Sequence, residues 1–350
     1  MPSESCQPYL PPEWAPQSGV MLTWPHSQGD WAAALEEVEP VFVDIARGIA
    51  PHERLLLICF DEAHRDHVKA LLEDAKVDLA QTRSYCVSSN DSWARDHGPL
   101  TVLCQGESRL LDFQFNGWGN KYPAALDNQI SRALSRAGAF DAVPMETVPW
   151  VLEGGSIDVD GSGTLLTTQR CLLSPTRNPG WTRSRLEAEL EDRLGAKRIL
   201  WLQHGYLAGD DTDSHIDTLA RFCDPETIAY VACDDPADEH YAELRAMEKE
   251  LQHFHSATGR PYRLVPLPWP RPVYDDAGQR LPASYANFLI INGAVLVPTY
   301  DDPADEAALA RLARHFPERE IIGVHSTPLL QQHGSLHCVT MQLPAGVPMD

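Results

Sequence analysis

The stretches Gly163-Thr164-Leu165-Leu166-Thr167-Thr168 and Gly293-Ala294-Val295-Leu296-Val297-Pro298-Thr299 are two copies of one pattern. Each is a short apolar run that opens at a glycine and leads into a helix-like segment. Such runs alternate with helical segments along the chain, which is typical of an α/β protein. The predicted strands lie at residues 20–24, 55–60, 100–104, 109–115, 148–152, 163–168, 197–202, 227–233, 262–267, 287–291, 294–298 and 320–324. The predicted helices lie at residues 30–49, 61–75, 123–137, 184–194, 238–255 and 304–314.

Polar motifs interrupt this alternation at Asp96, Glu153, His215 and Cys338. The first three lie 57 and 62 residues apart, and the last gap, of 123 residues, is about twice as long. A silent unit near Ser284-Tyr285-Ala286-Asn287 would fill that gap. Regular spacing of this kind indicates repeated units around a shared axis. We therefore predict a five-bladed α/β propeller with pseudo-fivefold repeats; the alternative is a doubly wound parallel sheet.

The chain has 350 residues, of which 43% are hydrophobic, and a formal net charge of −22. We expect a single catalytic domain over residues 1–350. The negative charge argues against nucleic acid or an anionic membrane surface as a partner and suits a cationic small substrate. No apolar run approaches the ~20 residues of a membrane-spanning helix, and the N-terminus lacks a secretory signal. We therefore expect a cytoplasmic protein.

The eight cysteines form no Cys-x-x-Cys pair, and most are expected to be small core residues in a reducing compartment. Cys338 differs because a polar segment, Gln331-Gln332-His333-Gly334-Ser335, lies just before its motif. The pair His333 and His337 lacks a second ligand pair at the spacing of zinc sites, so we predict no metal and no cofactor. Residues 1–19 are rich in proline and polar residues and are expected to form an arm on the surface.

Two of the polar motifs carry the groups of nucleophilic catalysis. Gly334-Ser335-Leu336-His337-Cys338 presents one thiol at the start of an apolar run, where it can attack an electrophile if an acid–base partner is near. In His215-Ile216-Asp217 the two polar side chains share one face if the segment is a strand. A histidine can serve as acid and base near neutral pH, and a carboxylate beside it can bind a cation. The alternative is a solvated acidic loop, since Asp210, Asp211 and Asp213 precede it.

The other two motifs suit the recognition of a cation. Glu153 follows an apolar run and precedes Gly154-Gly155; if buried, it needs a positive partner, which a cationic substrate would provide. The alternative is a glutamate at a strand end, in a turn. Trp93 offers a flat face to a planar cation, and Asp96 offers two oxygens to paired N–H donors. Arg95 and Asp96 can instead form a structural ion pair that orders their loop.

Taken together, in chain order, the motifs resemble the agmatine deiminase and bacterial-type peptidylarginine deiminase family of the guanidine-modifying (pentein) superfamily. The likeness covers nearly the whole chain, and the five-bladed α/β propeller of that family agrees with the repeats. The stretches that carry it are Pro12-Glu13-Trp14-Ala15-Pro16-Gln17, Thr23-Trp24-Pro25, Trp93-Ala94-Arg95-Asp96-His97-Gly98-Pro99, Phe115-Asn116-Gly117-Trp118-Gly119, Glu153-Gly154-Gly155-Ser156, Asp210-Asp211-Thr212-Asp213-Ser214-His215-Ile216-Asp217 and Leu336-His337-Cys338.

The resemblance implies a cofactor-independent hydrolysis of agmatine to N-carbamoylputrescine and ammonia, a step of putrescine biosynthesis. It implies that Cys338 attacks the guanidinium carbon, and that His215 protonates the departing ammonia and then activates water to hydrolyse the covalent intermediate. Carboxylates around the substrate are expected to raise the pKa of Cys338 until a cation binds. The implied catalytic residues are Cys338, His215, Glu153, Asp217 and Asp96. The implied substrate-binding residues are Trp93, Asp96, Trp118, Glu153 and Asp217.

Several positions depart from the pattern of the family's agmatine-specific members, so the guanidinium chemistry is better defined than the tail of the substrate. These positions are Asn120, Lys121, Ser214, Thr218, Gln332 and His333. Within the class, the alternatives are deimination of peptidyl-arginine and amidino transfer to an amine. The alternative of another class is a catalytically silent propeller that binds a cationic metabolite or a protein. Homologous enzymes form oligomers, so we expect a homo-oligomer.

Overall fold

The computed structural model describes residues 7–349 and shows an α/β protein built from small separate sheets. The strands are β1 (Pro8–Tyr9), β2 (Gln17–Thr23), β3 (Arg54–Cys59), β4 (Thr82–Cys86), β5 (Leu100–Cys104), β6 (Glu107–Gln114), β7 (Met145–Val151), β8 (Ile157–Val159), β9 (Thr164–Thr168), β10 (Arg198–Leu202), β11 (Ala220–Asp224), β12 (Thr227–Val231), β13 (Arg263–Leu267), β14 (Val273–Tyr274), β15 (Arg280–Leu281), β16 (Leu289–Ile291), β17 (Ala294–Thr299), β18 (Glu320–His325) and β19 (Thr340–Pro344). The helices are α1 (Leu35–Ile49), α2 (Glu62–Asp74), α3 (Ala94–His97), α4 (Gly117–Asn120), α5 (Ile130–Arg136), α6 (Gln169–Leu172), α7 (Arg183–Leu194), α8 (Tyr241–His253), α9 (Asp305–Ala313) and α10 (Thr327–Leu330).

One unit of strand, strand, helix and strand recurs in the sheets. In β8–β9–β10, β11–β12–β13 and β16–β17–β18, the first two strands pair antiparallel and the last two pair parallel. The sheet of β5, β6 and β7 has the same pattern, with β1 added at its edge. Parallel strands need a crossover connection, and helices such as α8 and α9 supply it.

The fifth sheet joins the two ends of the chain. β19 pairs antiparallel with β2, with Met341 opposite Met21, and β2 continues in parallel to β3 and β4. Over residues 7–349 the strands thus form five sheets of three or four strands and a two-stranded ribbon, β14–β15. The alternative of one doubly wound sheet is wrong, because no pairing within these residues joins the small sheets.

Crossover helix α8 buries one apolar face. Its Leu244, Met247 and Leu251 recur at three- and four-residue steps and lie in one apolar cluster with residues of β10, β12 and β13. Burial of one such side chain stabilises the fold by roughly 1.5–3 kcal/mol. No helix within residues 7–349 is long and apolar enough to cross a membrane.

The helix predicted at residues 123–137 begins only at Ile130. The residues just before Ile130 do not continue the helix but form hydrogen bonds to a neighbouring loop. Asn90 Oδ1 accepts the backbone N–H of Leu126 at 2.8 Å, and Asp127 accepts the backbone N–H groups of Asn90 at 2.6 Å and Asp91 at 3.2 Å. These contacts fix the loop that leads to the tryptophan motif.

The predicted surface arm at residues 1–19 is confirmed only in part, since Gln7, Tyr9 and Pro16 are exposed whereas residues 11–13 are buried. Residues 1–6 lie outside the described residues. Glu13 is buried, and its carboxylate pairs with Arg221 at 2.9 Å and with His337 at 2.7 Å. Glu13 lies inside because the buried guanidinium of Arg221 needs a counter-charge.

The cysteines match the expectation of reduced core residues only in part. Cys59, Cys171, Cys223, Cys233 and Cys338 are free and buried. Cys104 is disulfide-bonded, so the expectation is wrong for that residue.

Candidate active site

The polar motifs occupy equivalent places in the repeats, each just before the first strand of a unit. Asp96 lies in α3 before β5, Glu153 precedes the turn Gly154–Ser156 before β8, and His215 precedes the turn Ile216–Thr218 before β11. Cys338 lies in the turn His337–Val339 before β19. Asn287 holds the same place before β16. The turns contact one another, so the repeat brings these side chains to one region.

Cys338 is buried, and its thiol faces an amide and a carboxylate. Sγ lies 3.3 Å from Asn287 Nδ2 and 3.7 Å from Asp217 Oδ2. Burial raises the pKa of the Cys338 thiol well above its ordinary value, and the charges of Asp217 and Asp96 raise it further. The direction agrees with the expectation, although burial is the larger cause. The unit predicted to be silent therefore supplies Asn287, a contact of the nucleophile.

His215 is 0% exposed, so its solvated-loop alternative is wrong. Its Nδ1 lies 3.7 Å from Asp96 Oδ1, and its Nε2 lies 3.6 Å from Glu153 Oε2. Burial alone would lower the pKa of His215, but the charge of Asp96 and contacts with Cys171 and Glu153 raise it well above its ordinary value. An imidazolium in this place can donate a proton at neutral pH.

The acidic loop before His215 is a folded support. Asp210 accepts the backbone N–H groups of Thr212 at 3.1 Å and of Ser214 at 2.6 Å. Thr168 Oγ1 donates to the Ser214 carbonyl at 2.7 Å. These bonds hold the backbone in the turn that directs His215 inward.

Asp96 accepts hydrogen bonds from Trp118 Nε1 at 2.9 Å and from the Gly155 backbone N–H at 3.0 Å. Burial raises its pKa to about 6, and neighbouring carboxylates add to the shift. Arg95 instead pairs with Glu13 at 3.6 Å. The predicted structural ion pair of Arg95 and Asp96 is therefore wrong, because the two side chains serve different partners.

Glu153 is 0% exposed, and its positive partner is a side chain that sequence reasoning missed. Arg177 Nε donates to Glu153 Oε1 at 3.0 Å. Burial would raise the pKa of Glu153, but His215, whose Nε2 lies 3.6 Å away, and the charge of Arg177 lower it. The carboxylate is thus ionised before any substrate arrives.

A buried chain of three side chains, Asp217, His337 and Glu13, lies beside Cys338. Asp217 Oδ2 lies 2.8 Å from His337 Nδ1, and Glu13 Oε2 lies 2.7 Å from His337 Nε2. Burial would raise the pKa of Asp217, but its bond to His337 lowers it. Asp217 Oδ1 is buried and has no hydrogen-bond partner among the described residues. His337 and Glu13 were quoted in the motifs, but the sequence assigned neither of them a role.

A cavity of about 240 Å³ opens above the thiol. This is below the roughly 300–1,000 Å³ of sites for drug-sized ligands, so the cavity suits a small molecule or a single side chain. It is lined by Asp30, Asp91, Trp93, Asp96, Trp118, Tyr122, Asp211, Thr212, Gln331, Gln332, His333, Gly334 and Cys338. Of the predicted site residues, His215, Glu153 and Asp217 lie behind this lining rather than in it.

The cavity is acidic along its length. Asp30, Asp91, Asp96 and Asp211 all contribute carboxylates to its wall. Burial raises the pKa of Asp91 to about 7, with a contribution from the charge of Asp30. Tyr122 donates its hydroxyl to Asp211 at 2.8 Å. A cation entering this cavity would relieve the crowding of negative charge.

Two glycines of the motifs are required by close contacts. A Cβ on Gly155 would lie 2.6 Å from His215 Nδ1 and 3.0 Å from both Asp96 Oδ1 and Asp217 Oδ2. A Cβ on Gly334 would lie 2.1 Å from a ring carbon of Trp93. Both places need a residue without a side chain so that the functional groups can approach.

One group of side chains could hold a metal ion. Ligand atoms of Glu153, Cys171 and His215, all buried, lie within 4.8 Å of one another. The three residues are too far apart in the sequence for any spacing rule to connect them.

The fold and the site together define a class: an α/β protein with a buried thiol, an imidazole and carboxylates beside a small acidic cavity. A model of the family described as Porphyromonas-type peptidyl-arginine deiminase matches residues 9–344. The chain belongs to this family.

Relatives of known structure or name agree with that membership. The agmatine deiminase of Pseudomonas syringae pv. tomato is 36% identical over 361 residues, which are 96% of this chain and 95% of the relative. A Cys→Ser variant of C. jejuni agmatine deiminase, solved with substrate bound, has a TM-score of 0.90 at 36% identity and 99% coverage of both chains. A Porphyromonas gingivalis structure described as a candidate arginine deiminase has a TM-score of 0.91 at 52% identity, with 97% of this chain and 99% of that chain covered.

Proposed function

We propose that this chain hydrolyses agmatine to N-carbamoylputrescine and ammonia, with Cys338 as nucleophile and without a cofactor. The observation that carries the proposal is the acidic cavity that ends on the Cys338 thiol. Cys338 and Asp96 line the cavity and His215, Glu153 and Asp217 lie behind it, a combination that a silent binding protein would not need. The named agmatine deiminases that match nearly the whole chain support the same activity.

The guanidinium end of the substrate fits the deep part of the cavity. Asp96 lines it, and Asp217 Oδ1 is the buried acceptor with no partner among the described residues. Glu153 completes the carboxylate set from behind His215. Trp93 and Trp118 line the wall beside the planar cation, where a ring face attracts it. Two carboxylates and a ring face fix the carbon for attack.

The chemical steps follow from these positions. The Cys338 thiolate forms a C–S bond to the guanidinium carbon, and the C–N bond breaks as His215 gives its proton to the departing ammonia. Neutral His215 then removes a proton from a water molecule that attacks the thiouronium carbon. The C–S bond breaks, the thiolate returns and the ureido product leaves. Bound cationic substrate lowers the pKa of Cys338, so binding itself promotes the thiolate.

The outer part of the cavity favours a substrate tail with a positive charge. Asp30, Asp91 and Asp211 line it. The ammonium group of agmatine is attracted by these carboxylates, whereas free arginine adds a carboxylate that they repel. The tails of free arginine and of a blocked arginine peptide carry no net charge, so both should bind more weakly than agmatine.

Peptidyl-arginine is the second candidate substrate. It is favoured by the family description and by a matching structure described as a candidate peptidyl-arginine deiminase, at 44% identity and a TM-score of 0.92. A cavity of about 240 Å³ can accept one arginine side chain while the peptide stays outside.

The test is ammonia release from purified protein offered agmatine, free arginine and a blocked arginine peptide in separate assays, with Cys338→Ala as control. We expect release from agmatine above the other two and none from the variant. Release from the peptide alone would keep the chemistry and replace the substrate. If wild type released nothing while Cys338→Ala bound agmatine equally well, the silent binding protein would be the better reading.

We also propose that the five sheets are the blades of a five-bladed α/β propeller forming a single catalytic domain over residues 1–350. The equivalent place of the polar residue before the first strand of each unit supports this arrangement. The ends of that range, residues 1–6 and 350, lie outside the described residues. A homo-oligomer, a cytoplasmic location and the lack of nucleic-acid or membrane partners stay predictions, and light scattering of the purified protein tests the first.

A further inference from the structure

We propose a second use of the site: Glu153, Cys171 and His215 form a Zn²⁺ site that switches the enzyme off. The sulfur, nitrogen and oxygen ligands are the set that zinc prefers. All three side chains are 0% exposed, and their ligand atoms lie within 4.8 Å of one another. Cys171 has no part in the proposed hydrolysis, so this thiol is otherwise unused.

The separations fit a zinc ion. His215 Nε2 lies 3.6 Å from Glu153 Oε2, and Cys171 Sγ lies 3.9 Å from the same oxygen. Tetrahedral ligands at usual zinc distances stand about 3.4 Å apart for nitrogen and oxygen and about 3.6 Å apart for sulfur and oxygen. A closure of about 0.2–0.3 Å for each pair would bring the atoms to those separations.

His215 supplies a second observation that points to a ligand. Its imidazole is fully buried, and neither ring nitrogen has a hydrogen-bond partner among the described residues. Buried polar atoms are nearly always satisfied, and exceptions mark catalytic or ion-binding places. The unpartnered Nε2 is directed at Glu153, where the ion would lie.

A carboxylate lies on the side of the His215 ring that would not bind the metal. Asp96 Oδ1 is 3.7 Å from Nδ1, so it would have to come closer to accept the outer-shell hydrogen bond that is typical of zinc-bound histidines. Arg177 Nε holds Glu153 Oε1 at 3.0 Å and leaves Oε2 for the ion. Asp96 also lines the cavity, so the proposed site lies behind an acidic wall.

Zinc binding replaces protons and blocks catalysis. The Cys171 thiol and the His215 imidazolium each lose a proton to solvent, and the neutral imidazole then gives its Nε2 lone pair to the metal. While the ion is bound, His215 cannot donate a proton to ammonia or accept one from water. The zinc form is therefore inactive, and a chelator restores activity.

The binding test uses the Cys338→Ala protein, which lacks the proposed nucleophile, and Cys171→Ser in that background. We expect one Zn²⁺ per chain and, with Co²⁺ as probe, a thiolate-to-cobalt absorption band in the first protein. Cys171→Ser should lose the band and bind zinc at least ~100-fold more weakly, because a first ligand should cost no less than the 10–100-fold of an outer-shell partner. A band that persists in Cys171→Ser would refute the site.

If Cys171→Ser does not fold, X-ray absorption spectroscopy of zinc-loaded Cys338→Ala identifies the ligands directly. One sulfur at about 2.3 Å with nitrogen and oxygen at about 2.0–2.2 Å is expected, and a shell without sulfur would overturn the proposal. In wild type, Zn²⁺ should stop ammonia release until a chelator is added. The inhibition test in wild type rests on the proposed function, whereas the metal-binding tests do not, so the two can fail separately.

Discussion

Replacing His337 by alanine should destabilise the fold strongly, because this imidazole separates two buried carboxylates. His337 lies 2.8 Å from Asp217 and 2.7 Å from Glu13, and all three are nearly or fully buried. Removing one partner of a buried pair costs about 3–5 kcal/mol. Arg221 still pairs with Glu13 at 2.9 Å in the variant, so mainly Asp217 loses its partner. We therefore expect a loss of stability at the lower end of that range, about 3 kcal/mol.

The assay is thermal unfolding at pH 7. The folded-state pKa values of Asp217 and Glu13 are lowered, so their stabilisation is present above about pH 4 and is lost as the pH falls. At pH 7 it is therefore measured in full. At roughly 2 °C per kcal/mol for a large domain, the melting temperature should fall by about 6 °C.

The matched control is His67→Ala. His67 lies 2.8 Å from Glu39, a distance like those around His337, but its side chain is 52% exposed. An exposed pair contributes about 0–1 kcal/mol, so the control should shift the melting temperature by less than about 2 °C. Equal shifts in His67→Ala and His337→Ala would refute the reasoning, since burial would then add nothing.

Activity separates the positioning role of His337 from its structural role. His337→Asn can keep a donor near the Nδ1 place, toward Asp217, whereas His337→Gln can keep one near Nε2, toward Glu13. If His337 acts by fixing Asp217, the Asn variant should retain more of the kcat than the Gln variant at a similar loss of stability. Equal kcat values would limit His337 to holding the fold.

Two further predictions concern the cavity. Gly155→Ala should lower kcat by about 100-fold while the protein stays folded, because its Cβ would lie 2.6 Å from His215 Nδ1 and displace the ring. The control is Gly323→Ala, which should keep the wild-type kcat. A Cβ at that position would meet only side chains, at 3.2 Å or more. Calorimetry should show that agmatine binds Cys338→Ala about tenfold more tightly at pH 8 than at pH 6. The pKa of Asp91 is raised to about 7, and only the ionised carboxylate attracts the cation. An affinity that is the same at both pH values would show that Asp91 does not contribute to binding.

The repeat and the polar motifs could be predicted because they are local in the sequence. Apolar runs of strand length and the spacing of Asp96, Glu153 and His215 indicate units of one kind, and the sheets show that unit five times. Equivalent places in equivalent units then bring the motifs together. The predicted strands all overlap observed ones, since short apolar runs bounded by polar residues are a local signal in the sequence.

The partners of the motif residues could not be predicted, because each comes from a distant element. Arg177 reaches Glu153 from the loop after α6, and Glu13 reaches His337 across more than 300 residues of sequence. Nothing in the local pattern of Asn287 marks it as a contact of Cys338. A buried charge requires some partner, but only the packing of the sheets decides which one.

The three carboxylates of the site differ in how their charge is balanced, and this difference gives the site its response to substrate. Glu153 has Arg177 beside it and Asp217 has His337, and both pKa values are lowered. Asp96 has only His215 as an ion-pair partner within 4.0 Å among the described residues, and its pKa is raised to about 6. The pKa values of two carboxylates are thus lowered before a substrate arrives, while the third gains most from a cation that arrives. Under the proposed function, we expect the charge of that cation to lie beside Asp96 and the Cys338 thiol together, so that one binding event both completes the carboxylate set and favours the thiolate.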